Sequence, residues 1–445
     1  EVNVSRAGYT LRLNIPPGTG NVTFGPGAGD TLTGSSNSNT IIGYLAGNKV
    51  YANFNTIMGK DAGRFLGQAY SQQNVIMGYQ AGMGVEGSFS SNSANLNVAI
   101  GYQAGYGFTT GYQNVLVGKA AGFAITTGYD NVAVGVDALK SNLTGYANVA
   151  IGHDALYNHL VHSSIGIGLG AGKNSNGVQN VYMGTYAGLM QNTGTTNTYI
   201  GDSAGRGYGL SEAASNSGNT AVGAQSLYRV TTGNYNTAMG VNAGVSLTTA
   251  TQNILIGNSA GEKITNQGNN VHIGFSAGRY ATGSNNTIVG TEAARGPNSA
   301  PYASGIYHTV LGYRALYSFT TAGYNVAIGS NALYQLQTQN STTNGQYVVI
   351  GHQAGFTYNQ SNYGRNVAIG TNAAYYASAS QFSVIVGYQA GEYATSNSNV
   401  YMGYHAGRGY KASGTWPYST GNGNVAIGQS AMYSIQGGSD NVAVG

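Results

Sequence analysis

The side chains best suited to acid–base or metal chemistry in this 445-residue chain are 13 acidic residues and seven histidines. Asp137 and Asp154 stand out, because each lies two residues beyond a glycine, Gly135 or Gly152, that closes a copy of the same phrase. If the copies stack as strands, the two carboxyls come to lie about 4.8 Å apart, close enough to raise one pKa. A carboxyl pair of that kind would suit glycoside cleavage by a polysaccharide-degrading β-helix. Other copies, however, carry Ala120, Gly170 and Tyr186 at the equivalent point. A solvated ladder is the plainer reading, the chain is read as no enzyme, and no catalytic residue is assigned. His159 and His162 lack a recurring third ligand, and neither a Gly-rich acidic calcium repeat nor a phosphate loop occurs, so no metal or cofactor is expected. Tyrosine offers different chemistry. Tyr79, Tyr102, Tyr313, Tyr388 and Tyr404 recur just after a glycine, and stacked copies would give an aromatic stripe that stabilises a sheet or binds a sugar.

The element that must position these residues is a repeat. Asn97-Val98-Ala99-Ile100-Gly101-Tyr102-Gln103-Ala104-Gly105 is restated from Asn21 to Gly445 in about 24 copies, most often about 17 residues apart. Val98 and Ile100, Val115 and Val117, and Ile254 and Ile256 alternate with a freer position held by Ala99, Leu116, Tyr182, Tyr199 or His272. Such alternation predicts a short strand with its Val and Ile positions turned to the core. The freer face is mostly apolar as well, so it is expected to be covered from outside, most economically by a neighbouring chain. The closing Gly suits a sharp turn with positive φ, and the Ala three residues later a tight corner. The Asn opening each strand predicts an amide ladder. Linkers such as Phe108-Thr109-Thr110-Gly111-Tyr112 predict a second short strand and a return corner. The fold class is therefore all-β, a parallel β-solenoid of about 24 coils. Its thin core makes oligomerisation the expected remedy.

Residues 1–20 stand outside the repeat. Val2, Val4, Tyr9, Leu11, Leu13 and Ile15 alternate as strands, which fits a cap on the first coil or an arm that docks on the next subunit. The solenoid domain, residues 21–445, swells near 83–96, 205–218, 294–307, 336–346 and 408–423. Insertions of this kind map to outer loops. They make Phe89, Tyr208, Arg295, Tyr302, Lys411, Trp416 and Tyr418 the candidate contacts for a receptor or glycan.

Composition narrows the function further. Only 7% of residues are charged and the net charge of +4 includes no run of Lys or Arg, which argues against nucleic-acid binding. No stretch is long and apolar enough for a transmembrane helix, and the chain has no Cys, as suits a surface protein held by β-stacking. Glu1 in place of an initiator Met reads as a processed or trimmed end, and the strand phrase Asn441–Gly445 suggests further repeats or another domain beyond it.

Asn325-Val326-Ala327-Ile328-Gly329 resembles repeats in the heads of trimeric autotransporter adhesins, which are parallel β-rolls. The longer phrase from Thr231 to Gly244 is similar to repeats of bacteriophage tail fibres, often upstream of an endosialidase-type chaperone domain. The resemblance implies a homotrimer of side-by-side chains, with Tyr182, Tyr199, His272 and Tyr401 near the subunit interface. It also implies an extracellular, cell-surface or virion protein whose repeats form a shaft. The chain shows no coiled-coil stalk, membrane anchor or chaperone, which favours the fibre over the autotransporter. The function expected is thus a non-enzymatic structural and adhesive fibre, with self as the main partner. A self-polymerising filament or sheath subunit joined through the N-terminal arm is the alternative.

Overall fold

A computed structural model describes residues 2–6, 9–14, 20–33, 36–51, 53–66, 71–86, 94–207, 215–336, 345–358, 364–377, 381–409, 421–435 and 437–445. The chain forms two units, Glu1–Asn219 and Thr220–Gly445, built on one plan. In the first, eleven three-residue strands run from Val22–Phe24 to Thr198–Ile200; in the second, thirteen run from Thr220–Val222 to Val442–Val444. Within each unit every strand pairs in parallel with the next, in register: Val98 faces Val115, Ala99 faces Leu116 and Ile100 faces Val117. Parallel neighbours one repeat apart define a β-solenoid, and no helix occurs among the described residues. At the N-terminus, Val2–Arg6 pairs antiparallel with Tyr9–Asn14, which in turn pairs antiparallel with Val22–Phe24 through Leu13 and Asn14. The segment that holds Val2, Val4, Tyr9, Leu11 and Leu13 therefore lies on the first coil of its own chain, as a cap would; Ile15 lies outside the described residues.

Three backbone devices recur in each coil. The residue before the strand Asn is left-handed although it is rarely Gly, as at Gln113 with φ 56° and Asp130 with φ 55°. The Gly after the strand sits at φ 136° in Gly101, Gly118 and Gly135, as expected for a sharp turn. A Cβ on Gly101 would lie 2.5 Å from the carbonyl oxygen of Gly118, so this column must stay bare. The turn then closes through the Ala104 N–H to the Gly101 carbonyl at 3.4 Å, with Gln103 at φ 54°. Ala104, Ala121 and Ala155 are fully buried at this corner, as their size predicts.

The amide ladder is present. The backbone N–H and Nδ2 of Asn114 both donate to Asn97 Oδ1 at 3.0 Å, and Nδ2 also donates to the Gly128 carbonyl at 2.9 Å. Asn131 repeats the pattern on Asn114 at 3.1 and 3.0 Å. These amides have no exposed surface. A buried polar column is tolerated because each group has its partner one coil away.

The strand faces are the reverse of the expected ones. Ala99, Leu116, Tyr182, Tyr199, His272 and Tyr401 are fully buried inside the coil of one chain, while the Val and Ile on either side of them are half-buried and face outward. Tyr182, Tyr199, His272 and Tyr401 are thus interior residues of one chain, not the subunit interface that the resemblance implied. The period of two was read correctly and its phase was not. Asn and the middle residue are two apart and share a face, so once the amide column is buried the middle residue follows it inward.

In several coils a second position, six residues further on, compensates for the strand residue, whereas beside Ala99 with Gly105 and Ala238 with Gly244 a leucine of the next coil, Leu116 or Leu255, reaches in. Where the strand carries Ala133, Ala150 or Ala327, that position is Leu139, Leu156 or Leu333, all fully buried. Where the strand carries Leu116, Tyr182 or Tyr199, it is Gly122, Gly188 or Gly205. A Cβ on Gly122 would come within 2.7 Å of Leu116. Close packing demands that the space be filled, from within the coil or from the next one. Among the described residues the expected second strand forms in three coils, at Ser318–Phe319, Gln335–Leu336 and Thr357–Tyr358. In several other coils the linker is a bend whose Thr hydroxyl donates to the next coil, as Thr109 does to the Thr126 carbonyl at 3.0 Å and Thr126 to that of Leu143 at 3.0 Å. There the β-branched residue serves for its hydroxyl as well as its shape.

Candidate functional site

The acidic residues that could have done chemistry are neutralised by cations. Asp137 lies 3.1 Å from Lys140, and Asp154 lies 2.8 Å from Lys173 of the next coil. The same link between coils joins Glu262 to Arg279, Glu292 to Arg314 and Glu392 to Arg408, each at 2.6 Å. Hydrogen bonds from Lys263 and Arg279 hold the Glu262 carboxyl below the usual carboxylate range, although burial alone would raise it. Among the described residues no cluster of His, Asp and Glu could hold a metal ion.

Three histidines are interior groups. Burial pushes His272 and His308 down to about 3 and His159 to about 4. His159 still has partners: Nδ1 lies 2.6 Å from the Ser175 carbonyl and Nε2 lies 3.2 Å from Asn148 Oδ1, where it supports the amide ladder. His272 makes no hydrogen bond through either ring nitrogen. Because the folded pKa is below the unfolded value of about 6.5, stability is complete above that pH and falls as protons bind the unfolded chain. From pH 7 to pH 5 each of His272 and His308 is expected to remove about 2 kcal/mol from the second unit. His272→Leu copies Leu255 of the preceding coil, and should leave stability at pH 7 intact while cutting the acid loss by about 2 kcal/mol. Urea midpoints measured between pH 7 and pH 5 check this; an unchanged acid slope would refute it.

Of the candidate contact residues in the insertions, Arg295 and Tyr302 are described. Arg295 Nη1 donates to the Tyr317 hydroxyl at 2.8 Å, and its guanidinium lies over the rings of Tyr280 and Tyr317 at 5.3 and 5.6 Å. Tyr302 stacks on Tyr280 at 5.9 Å, and Ala303 bridges to Ala281. Tyr302 thus holds the 294–307 insertion to the preceding coil, and Arg295 ties it to the coils on both sides. Phe89, Tyr208, Lys411, Trp416 and Tyr418 lie outside the described residues.

Two surfaces remain. One is the set of aromatic stacks. Tyr79 stacks on Tyr102 at 5.4 Å and Tyr388 on Tyr404 at 5.4 Å, so the stripe expected after the strand Gly exists in pieces. A longer stack that the sequence reading missed runs through Tyr112, Tyr129, Tyr146 and His162. The second surface is the outer face of the strands. Its positions are Val, Ile, Leu, Met, Phe or Thr in every described coil strand of both units, with no charged side chain. Exposure there reaches 38% at Val115, 40% at Ile254 and 49% at Leu311. Parallel sheets ordinarily have both faces covered, and a long apolar face of this kind marks an interaction surface. The constancy of Val and Ile was visible in the sequence, but it was read as the mark of the core. No protein-family model matches the chain, and no match is found among curated proteins.

Proposed function

We propose that this chain is a non-enzymatic structural and adhesive protein of an extracellular, cell-surface or virion fibre. Its coils build the shaft, and its inserted loops reach a receptor or glycan. The observation that carries this reading is the uncharged outer strand face, which repeats coil after coil and is suited to burial against the same face of identical chains. Three copies side by side close such a contact with point symmetry. The pairing of the Asp137 and Asp154 carboxylates with cations fits a structural role.

Ile100→Lys together with Val117→Lys tests the reading, because both side chains point out of the coil and leave its interior untouched. The variant is expected to sediment as a single chain while its far-UV circular dichroism is unchanged, since each buried charge would lack a partner. An unaltered sedimentation mass would refute the proposed contact.

A further inference from the structure

One rung of the amide ladder in the second unit is built differently from those described above. His308 stands in the Asn column, and its Nδ1 lies 3.3 Å from Asn325 Nδ2. In the first unit, by contrast, Asn97 Oδ1 takes both the N–H and the Nδ2 of Asn114 at 3.0 Å. Directly before His308 and Asn325 stand Tyr307 and Tyr324, 49% and 45% exposed. Their rings stack across this same rung, with centroids 5.0 Å apart and planes 21° from parallel. Both backbones are left-handed at φ 58°, a conformation that suits Asn269 and Asn285 of the same column better than a bulky side chain. Local backbone preference therefore does not account for the two rings. Stacking alone does not call for phenols either, since a phenyl ring stacks as well. The buried phenols use their hydroxyls: Tyr199 donates to Asn216 Oδ1 at 2.6 Å, and the Tyr182 hydroxyl lies 2.9 Å from that of Ser175. The hydroxyls of Tyr307 and Tyr324 bond to nothing in the described chain. Two solvent-facing phenols thus lie in contact on adjacent coils of a chain that has no Cys to link them.

We propose that Tyr307 and Tyr324 are a site of oxidative cross-linking, joined as dityrosine by hydrogen peroxide and a one-electron oxidant of the haem-peroxidase class. Each phenol gives up one electron and one proton. The two phenoxyl radicals couple through ring carbons ortho to oxygen; the new C–C bond replaces two C–H bonds, whose hydrogens move to the oxygens as the rings regain aromaticity. The peroxide takes up both electrons and both protons and leaves as two water molecules. Coupling is favoured here because the rings are already in contact, so neither radical has to find its partner by diffusion. The bond closes a covalent loop across the His308 rung and restrains opening of the coil, as a disulfide would. Tyr388 and Tyr404, 46% and 49% exposed and stacked at 5.4 Å, form a second pair of this kind. Tyr182 and Tyr199, at 5.9 Å, are fully buried and out of the oxidant's reach. The link lies within one chain and does not rest on the proposed assembly.

Oxidation of the whole chain with a haem peroxidase and hydrogen peroxide, followed by tryptic mapping of the unfolded product, tests the site. Arg314 lies between the two tyrosines, so the link joins peptides 296–314 and 315–365 at a mass two hydrogens below their sum. The linked pair is expected, with dityrosine fluorescence, in product that keeps the single-chain mass on denaturing electrophoresis. Hydrogen exchange in the strands Thr309–Leu311 and Val326–Ile328 is expected to slow in that product. Tyr307→Phe keeps the ring and its stack but lacks the phenol, so it should lose both the link and the slowed exchange with its circular dichroism unchanged. No link between these peptides, a link undiminished in Tyr307→Phe, a link found only in products of more than one chain, or unslowed exchange in the linked chain would overturn the proposal.

Discussion

Asn114→Leu is expected to cost about 4 kcal/mol, although the two side chains are nearly the same size. Leucine returns nothing to the Gly128 carbonyl, and it leaves the buried N–H of Asn131 without an acceptor. It also removes one of the two acceptors of Asn131 Nδ2, which keeps the Gly145 carbonyl. Each buried polar group so orphaned costs about 1–3 kcal/mol. The chain contains its own milder substitution. Ser164 stands in the Asn column, where its N–H donates to Asn148 Oδ1 at 3.0 Å, its hydroxyl donates to the Gly177 carbonyl at 3.3 Å, and Asn180 N–H reaches that hydroxyl at 3.4 Å. Asn114→Ser should therefore lose less than half as much as the leucine variant. Urea denaturation, with hydrogen exchange to place the opening between Val98 and Val134, checks the pair. Equal losses from Leu and Ser would show that the ladder is not what holds adjacent coils together.

Leu116→Ala and Gly122→Leu are each expected to cost about 3 kcal/mol alone and about 1 kcal/mol together. The first leaves a cavity in a fully buried position. The second drives a Cβ to within 2.7 Å of Leu116 and 2.8 Å of Ile125, at a backbone φ of 57°. The double variant recreates an arrangement the chain already uses, since Ala327, Leu333 and Leu336 are fully buried together and Leu333 adopts φ 52°. The residual cost is that of a left-handed leucine. A double-mutant cycle on the denaturation midpoint reads the coupling directly. Additive losses would mean that the two positions do not share one volume.

The repeat length, the parallel strand, the positive-φ glycine, the corner alanine and the amide column were all legible in the sequence. Each follows from a local constraint that a single coil already imposes. The phase of the strand was not legible by hydrophobicity, because both faces are apolar. Val115 and Val117 look more core-like than Ala133, yet they face outward. The deciding signal lay six residues further on, in the exchange of Ala133 with Leu139 for Leu116 with Gly122. Two positions that trade volume in this way share the interior, although coils such as that of Ala99 and Gly105 do not make the trade. The linker was misread for a related reason. Thr109 and Thr126 suggest a strand by shape, but their hydroxyls bond to the next coil and hold the chain in a bend, and this places the Tyr112 stack on the surface. Of the inserted residues, Arg295 could have been recognised as structural from the tyrosines one coil away on either side, Tyr280 and Tyr317.

The outer strand face remains the feature on which the functional reading turns. The most direct measurement is the mass of the unaltered protein in dilute solution, by light scattering coupled to size exclusion. The account predicts a single species of three times the 45.7 kDa chain mass. A monodisperse species of one chain mass, with the outer Val and Ile positions facing water, would contradict it.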